Sequence, residues 1–211
     1  MKTKTMVLCA IFAAILCIFS VMSIPIGAIP ISMGLFGVML TAVILGPVLG
    51  TISVGVFILL GLVGLPVFSG FKGGFQVLAG PTGGYIWSYI LVALFIGLFA
   101  KLICNKQKST KDKWITLNAK LDNQPHILSI KLPKLDLLKK LEIFIICLVG
   151  VAICYAAGTV QFMAVSGKNL TAALAVCVIP FIPFDIAKAI IATAVGYTVN
   201  RTLKKAGMLN K

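Results

Sequence analysis

The chain has 211 residues, 60% of them hydrophobic and 11% charged, with a mean hydropathy of +1.09. A soluble domain carries about 25% charged residues, so lipid has to be the solvent for most of this surface. The net charge of +14 is not spread as a nucleic-acid-binding face: Lys2 and Lys4 precede the first apolar run, ten lysines lie between Lys101 and Lys140, and Arg201, Lys204, Lys205 and Lys211 close the chain. That is the pattern of cytoplasmic segments in a membrane protein.

Thr5–Met22 is long enough to span and is predicted as helix 1. A secretory signal peptide would fit the same K-T-K start, but more membrane protein follows. Ala10, Ala13 and Ala14 form a small-residue stripe of the kind that lets another helix approach closely in lipid; ordinary internal packing competes with that reading. Ser23–Ser32 is an apolar connector punctuated by Pro and Gly. Helix 2 then runs from about Met33 to a tight turn at Gly46-Pro47-Val48-Leu49-Gly50. It is short for a span, which wants roughly 20 residues, unless it begins as early as Gly27. Helix 3 extends to about Leu65, Pro66–Gly84 is glycine-rich and irregular, and helix 4 covers about Tyr85–Leu102. Asn105–Lys140 is the hydrophilic segment and holds the sole histidine, His126. Helix 5 is predicted over Leu141–Met163. After a break at Val165–Leu170, Thr171–Val178 and the stretch beyond Pro183 form a proline-interrupted sixth span ending near Asn200.

The most informative stretch is Ile179–Gly196. Pro180 and Pro183 mark where a helix can begin. Asp185 and Lys188 then share one helix face, about 4.5 Å apart along the axis, with the acid in the first turn where the helix dipole favours it. A charge in hydrocarbon costs roughly 2.5–3.5 kcal/mol on insertion scales, so such a pair faces a partner, a cavity or a substrate. The bland alternative is a pair that caps a helix at the membrane edge.

Basic segments on one side and alternating crossings give an all-α, six-helix, single-domain membrane protein (1–211) with both termini cytoplasmic. The connectors at 23–32, 66–84 and 164–183 then converge with Asp185 and Lys188 on the outer side. Irregular backbone at membrane depth is tolerated where it is buried or lines a cavity, and Gly73, Gly74, Gly83 and Gly84 allow close backbone approach. This describes a small-molecule pocket. Asp185 can accept N–H donors, and Lys188, Lys72 or Lys168 can hold a carboxylate. Gln76, Thr82, Tyr85 and Gln161 are neutral partners, and Phe71, Phe75, Trp87 and Phe184 are apolar walls.

The sequence has no G-x-x-x-x-G-K-[ST] and no H-E-x-x-H, which argues against nucleotide and zinc-hydrolase chemistry. Its six cysteines (Cys9, Cys17, Cys104, Cys147, Cys154, Cys177) contain no C-x-x-C and read as packing residues. Of five carboxylates, Asp112, Asp122, Asp136 and Glu142 belong to the hydrophilic segment or its edge, leaving Asp185 without a second acid for acid–base work. The expectation is a non-enzymatic protein with no cofactor and no metal.

Gly64-Leu65-Pro66-Val67-Phe68, then Lys72-Gly73-Gly74 and Gly80-Pro81-Thr82-Gly83-Gly84-Tyr85, resemble the biotin-specific substrate-binding (S) component of energy-coupling factor transporters, the BioY family. Ile182-Pro183-Phe184-Asp185-Ile186-Ala187-Lys188-Ala189 is similar to that family's P-x-D-x-x-K helix start. The spacing agrees along most of the chain, although the segment near 105–140 is longer than usual.

The resemblance implies the six-helix S-component fold in the plasma membrane. It also implies a biotin site near the extracellular face, closed by the loops after helices 1 and 3, with Asp185 and Lys188 touching the vitamin. Asp185 would take the ureido N–H groups, and Lys188 would either neutralise Asp185 or reach an acceptor oxygen. Two departures stand out: Lys72 where relatives carry a neutral polar residue, and Ile86 where they carry an arginine. Lys72 is expected to take over carboxylate binding. The resemblance further implies that Ala10 and Ala14 dock on a transmembrane coupling protein, which joins two cytosolic ATPases. The alternatives are an S component for another vitamin, an intramembrane enzyme acting on a lipid through Lys188, or a membrane assembly factor.

Overall fold

The computed structural model describes residues 3–24, 29–121 and 133–209, with side chains between 104 and 136 excepted. In chain order it has α1 (Thr3–Val21), β1 (Ser23–Ile24), β2 (Ile31–Ser32), α2 (Gly34–Leu62), α3 (Phe75–Ala79), α4 (Gly83–Leu121), α5 (Pro133–Ser166), α6 (Leu170–Cys177) and α7 (Ile182–Lys205). Among the described residues, five helices are long and apolar enough to cross a membrane: Thr3–Val21, Gly34–Leu62, Gly83–Ile103, Leu137–Ser166 and Ile182–Lys205. The protein is a multi-pass membrane protein.

The second of these is not a straight rod. Gly46 sits at φ 79°, ψ −172°, a region open essentially to glycine alone. Pro47 follows, with a φ already suited to starting a helix. Along a continuous helix, Ala42 and Gly50 would be about 12 Å apart. Instead, a Cβ added at Gly50 would lie 3.2 Å from the Cα of Ala42, so the chain reverses at Gly46 and the two halves pack against each other. The carbonyls orphaned at this break are met by Asn200 on α7, whose Nδ2 donates to Val43 O at 3.3 Å and Ile44 O at 2.5 Å. Every residue from Gly34 to Leu45 is buried. This first half is therefore wrapped in protein rather than lipid, which is why so short an apolar segment suffices.

Neighbouring helices close around that central segment. α1 lays Leu8, Phe12 and Leu16 against it, with Gly37 giving room to Leu16. Gly97 of α4 backs onto Pro47, and Gly196 of α7 onto Val43. Ala10 and Ala14 are exposed, whereas Ala13 is buried. Ala13 thus belongs to internal packing and leaves the outward stripe that the sequence suggested.

Two further expectations are corrected. The hydrophilic segment Asn105–Lys140 is helical over much of its length: α4 runs on to Leu121 and α5 starts at Pro133. Between Gly97 and Pro125 the sequence offers no glycine or proline to stop a helix. His126 lies outside the described residues. Likewise α6, at 8 residues, is separated from α7 by the turn at 178–181. The 24 residues of α7 are long enough to span without it.

At one end of the bundle lie the β1–β2 hairpin, the 63–82 connector with α3, and α6. β1 and β2 pair antiparallel through Ser23–Ser32 and Ile24–Ile31, and Met33 N–H donates to Met22 O. The Tyr85 hydroxyl donates to Cys177 O at 3.1 Å, tying α4 to the end of α6. A small second core of Ile29, Ile31, Phe162, Ala173, Cys177 and Phe181 fills the space beneath.

Candidate substrate-binding site

The first turn of α7 carries Asp185, whose N–H donates to Phe181 O, and Lys188 follows one turn later. Both are buried, at 3% and 6% exposure. Lys188 Nζ donates to Asp185 Oδ1 at 2.8 Å and to Ser32 O at 2.8 Å. The Tyr155 hydroxyl donates to Asp185 Oδ2 at 2.6 Å. An ion pair removed from water survives where good geometry and further hydrogen bonds offset its desolvation. Here α5, α7 and β2 supply those bonds. The acid keeps spare lone pairs on both oxygens, and the ammonium keeps one of its three donors, so the cluster is satisfied yet still able to engage a ligand.

The pair borders a cavity of about 640 Å³, within the roughly 300–1,000 Å³ of small-molecule pockets. Each surrounding element supplies part of the wall: Ser20 from α1, Pro30 from the hairpin, Leu35 from α2, and the Phe68–Gly73 turn. Gln76 and Thr82 come from the α3 region, Tyr85 and Tyr89 from α4, Cys154 and Tyr155 from α5. Phe68 is held by Phe57, edge-on with ring centroids 5.6 Å apart, and by Gly61, whose missing side chain admits the ring.

Of the residues singled out by sequence, Asp185, Lys188, Lys72, Gly73, Gln76, Thr82, Tyr85 and Phe71 meet at the cavity. Gly74, Gly83, Gly84, Gln161, Phe75, Trp87, Phe184 and Lys168 are not among its lining residues. The reasons are local. Gln161 Nε2 donates to Leu78 O and Gly80 O, both at 2.8 Å, clamping the α3 connector onto α5. Gly83 has Leu78 O where a Cβ would go, and Gly84 has Ala157 O at 2.5 Å from that point. Gly74, at φ 91°, donates its N–H to Gly61 O at 2.7 Å. Lys168 Nζ stands 6.0 Å over the Phe162 ring. Phe75, Trp87 and Phe184 turn outward and are exposed.

Sequence reasoning missed Tyr155, Tyr89, Ser20, Ser69 and Cys154, all of which line the cavity. Tyr155 and Cys154 lie in an unpunctuated apolar helix far before Asp185 in the chain. Only the inward stripe of polar-tipped side chains at Tyr155 and Thr159 could have drawn attention to that face.

Residues 1–205 match the sequence model of the BioY family. A biotin transporter BioY from Rhizobium etli is 30% identical over 203 residues, covering 94% of each chain. A Thermotoga maritima protein of the same name is 46% identical over 98 residues, 46% of this chain and 58% of that protein. A probable biotin transporter BioY from Pyrococcus horikoshii is 40% identical over 98 residues, 60% of its length. For these two, the matched stretch covers less than two thirds of the relative. The crystal structure of the S-component for biotin from an ECF-type ABC transporter superposes with a TM-score of 0.72 at 28% identity, covering 95% of this chain and 92% of that one.

Proposed function

The chain belongs to the BioY family, and from that premise we propose that it captures biotin and takes it up as the substrate-binding component of an energy-coupling factor transporter. The observation that carries this reading is the satisfied but unsaturated Asp185–Lys188–Tyr155 cluster bordering a cavity among apolar helices. A ureido ring offers two N–H donors and a carbonyl. Asp185 accepts the N–H groups, and the free donor of Lys188 reaches the carbonyl. Leu35, Phe68 and Ile86 make the apolar surface that a thiophane ring and an aliphatic tail need. Thr82, Gln76, Tyr85 and Gly73 complete the wall. Gly74, Gly83, Gly84 and Gln161 hold it in place without touching the vitamin.

The protein is not an enzyme; members of this family are binding components of transporters, and the site needs no cofactor. The whole chain forms one transmembrane domain in the plasma membrane. The reversal at Gly46 supports counting α2 as two crossings, six in all. Lys4, Lys101, Lys139, Lys140, Arg201, Lys204 and Lys205 then share one side, which by charge is cytoplasmic. The cavity opens toward the outside.

Energy comes from a transmembrane coupling protein joined to two cytosolic ATPases, docked on the exposed Ala10 and Ala14 of α1. Replacing both alanines with tryptophan is expected to abolish ATP-driven uptake while leaving biotin binding to the purified chain unchanged. Loss of binding instead would assign these alanines to internal packing. The direct test of the function is equilibrium binding to the detergent-purified full chain, without nucleotide or metal. Biotin should bind in the nanomolar range, desthiobiotin more weakly, and riboflavin and thiamine not at all. Retention of riboflavin or thiamine, or no biotin binding, would overturn the assignment.

A further inference from the structure

The cavity has a second polar region, on the Phe68–Gly73 turn rather than on the helix that carries the ion pair. Asp185 and Lys188 neutralise each other. Lys72, which also lines the cavity, is the remaining charged residue of its wall and leaves it one positive charge in surplus. Among the described residues, no ion pair or hydrogen bond engages the Lys72 side chain. Three positions earlier, the Ser69 hydroxyl is buried and has no hydrogen-bond partner, and Ser69 lines the same cavity.

One turn holds both residues. Phe68 N–H donates to Lys72 O at 2.9 Å and Lys72 N–H returns to Phe68 O at 3.4 Å, while the Phe68 ring is buried against Phe57 and Gly61. Phe71 at its tip has φ 58°, a conformation non-glycine residues rarely adopt and one that clusters at ligand clamps. An unpaired ammonium and an unpartnered hydroxyl fixed on one turn are a donor set lacking its anion. A serine hydroxyl reorients between staggered χ1 wells at little cost, so both donors can serve one acceptor group.

We propose that Lys72 and Ser69 form the subsite for the ligand's carboxylate and thereby select the free acid over its amides. This rests on the reading of the cavity as a biotin site and adds its polarity: the ring's N–H donors toward Asp185, the acid toward the Phe68–Lys72 turn. A carboxylate neutralises the surplus charge through charge-assisted hydrogen bonds. A carboxamide, such as biotin joined to the lysine side chain, brings no charge to this point. Its carbonyl oxygen can accept from a donor, but without charge assistance, and its N–H faces a cation.

The test is equilibrium binding of biotin, biotinamide and biotinyl-lysine to the purified full chain and to K72M, K72R and S69A. Wild type should prefer biotin over biotinamide by about tenfold or more, the scale of one charged contact. K72M should lose that preference by weakening biotin far more than biotinamide, and K72R should retain it. S69A should weaken biotin by about threefold and biotinamide less. Because Lys72 is exposed, the preference should shrink with added salt. Equal binding of acid and amide by wild type, or equal weakening of both in K72M, overturns the subsite and leaves the biotin reading standing. Failure of wild type to bind biotin removes both.

Discussion

Asp185→Ala is expected to weaken biotin binding by about two to four orders of magnitude and lower the thermal stability of the purified protein, whereas the double variant Asp185→Leu/Lys188→Met should regain the stability and not the binding. Removing the acid leaves the Lys188 ammonium buried with Ser32 O as its single hydrogen-bond acceptor. Breaking a buried pair from one side costs about 3–5 kcal/mol. The Tyr155 hydroxyl loses its acceptor at the same time. Replacing both partners by apolar side chains removes that penalty, since well-packed apolar substitutes for a buried pair are often neutral or stabilising. The ligand has no such remedy. Each N–H donated to a charged acceptor contributes about 1.5–3 kcal/mol, so losing two weakens binding on the order of 10²–10⁴-fold. Thermal melting with and without biotin, beside a direct titration, separates the effects. Full affinity in Asp185→Ala would remove the acid from the binding site, and a double variant as unstable as the single one would make the pair a structural requirement.

That this pair was legible from sequence follows from its setting: two charges in an apolar run, behind prolines that fix where a helix starts, admit few arrangements. The Gly46-Pro47 reversal was legible for a similar reason, since both residues act on their own backbone. The glycines of the connector and of the first turn of α4 were harder, because a glycine announces close approach without saying what approaches. At Gly73 the cavity lies alongside, but at Gly83 and Gly84 the neighbours are the carbonyls of Leu78 and Ala157. Ala13 was misplaced because Ala10, Ala13 and Ala14 share a face about 100° wide, and the spacing does not say where along that arc the protein interior begins. Ala13, at one edge of it, is buried while Ala10 and Ala14 stay exposed. Tyr155 was invisible, its role defined by a partner thirty positions away in a different helix. The extension of α4 to Leu121 was missed because a change from apolar to polar composition marks the end of the hydrocarbon, not of the helix.

Gly83→Ala is expected to loosen the connector that carries α3 and to cost the protein most of its affinity, although this residue does not border the cavity. The added methyl would fall on Leu78 O and crowd Gln161 Nε2, which lies 2.5 Å from its position. Leu78 is buried at 1% exposure, so its backbone has little room to withdraw. Overpacking of this kind costs about 1–3 kcal/mol, and displacing Gln161 sacrifices two hydrogen bonds at about 1 kcal/mol each. A total near 3–5 kcal/mol corresponds to a melting temperature lower by roughly 6–20 °C in a chain of this size. Gln161→Leu should reproduce the hydrogen-bond part alone, with a smaller drop. Both variants loosen the connector that carries Gln76 and Thr82 to the cavity, so biotin affinity should fall with stability. An affinity lost at unchanged melting temperature would mean that the Gly83 backbone meets the vitamin directly. Affinity and stability falling together, and more steeply for the methyl than for the lost amide, follows only if this glycine exists to let the connector and α4 touch.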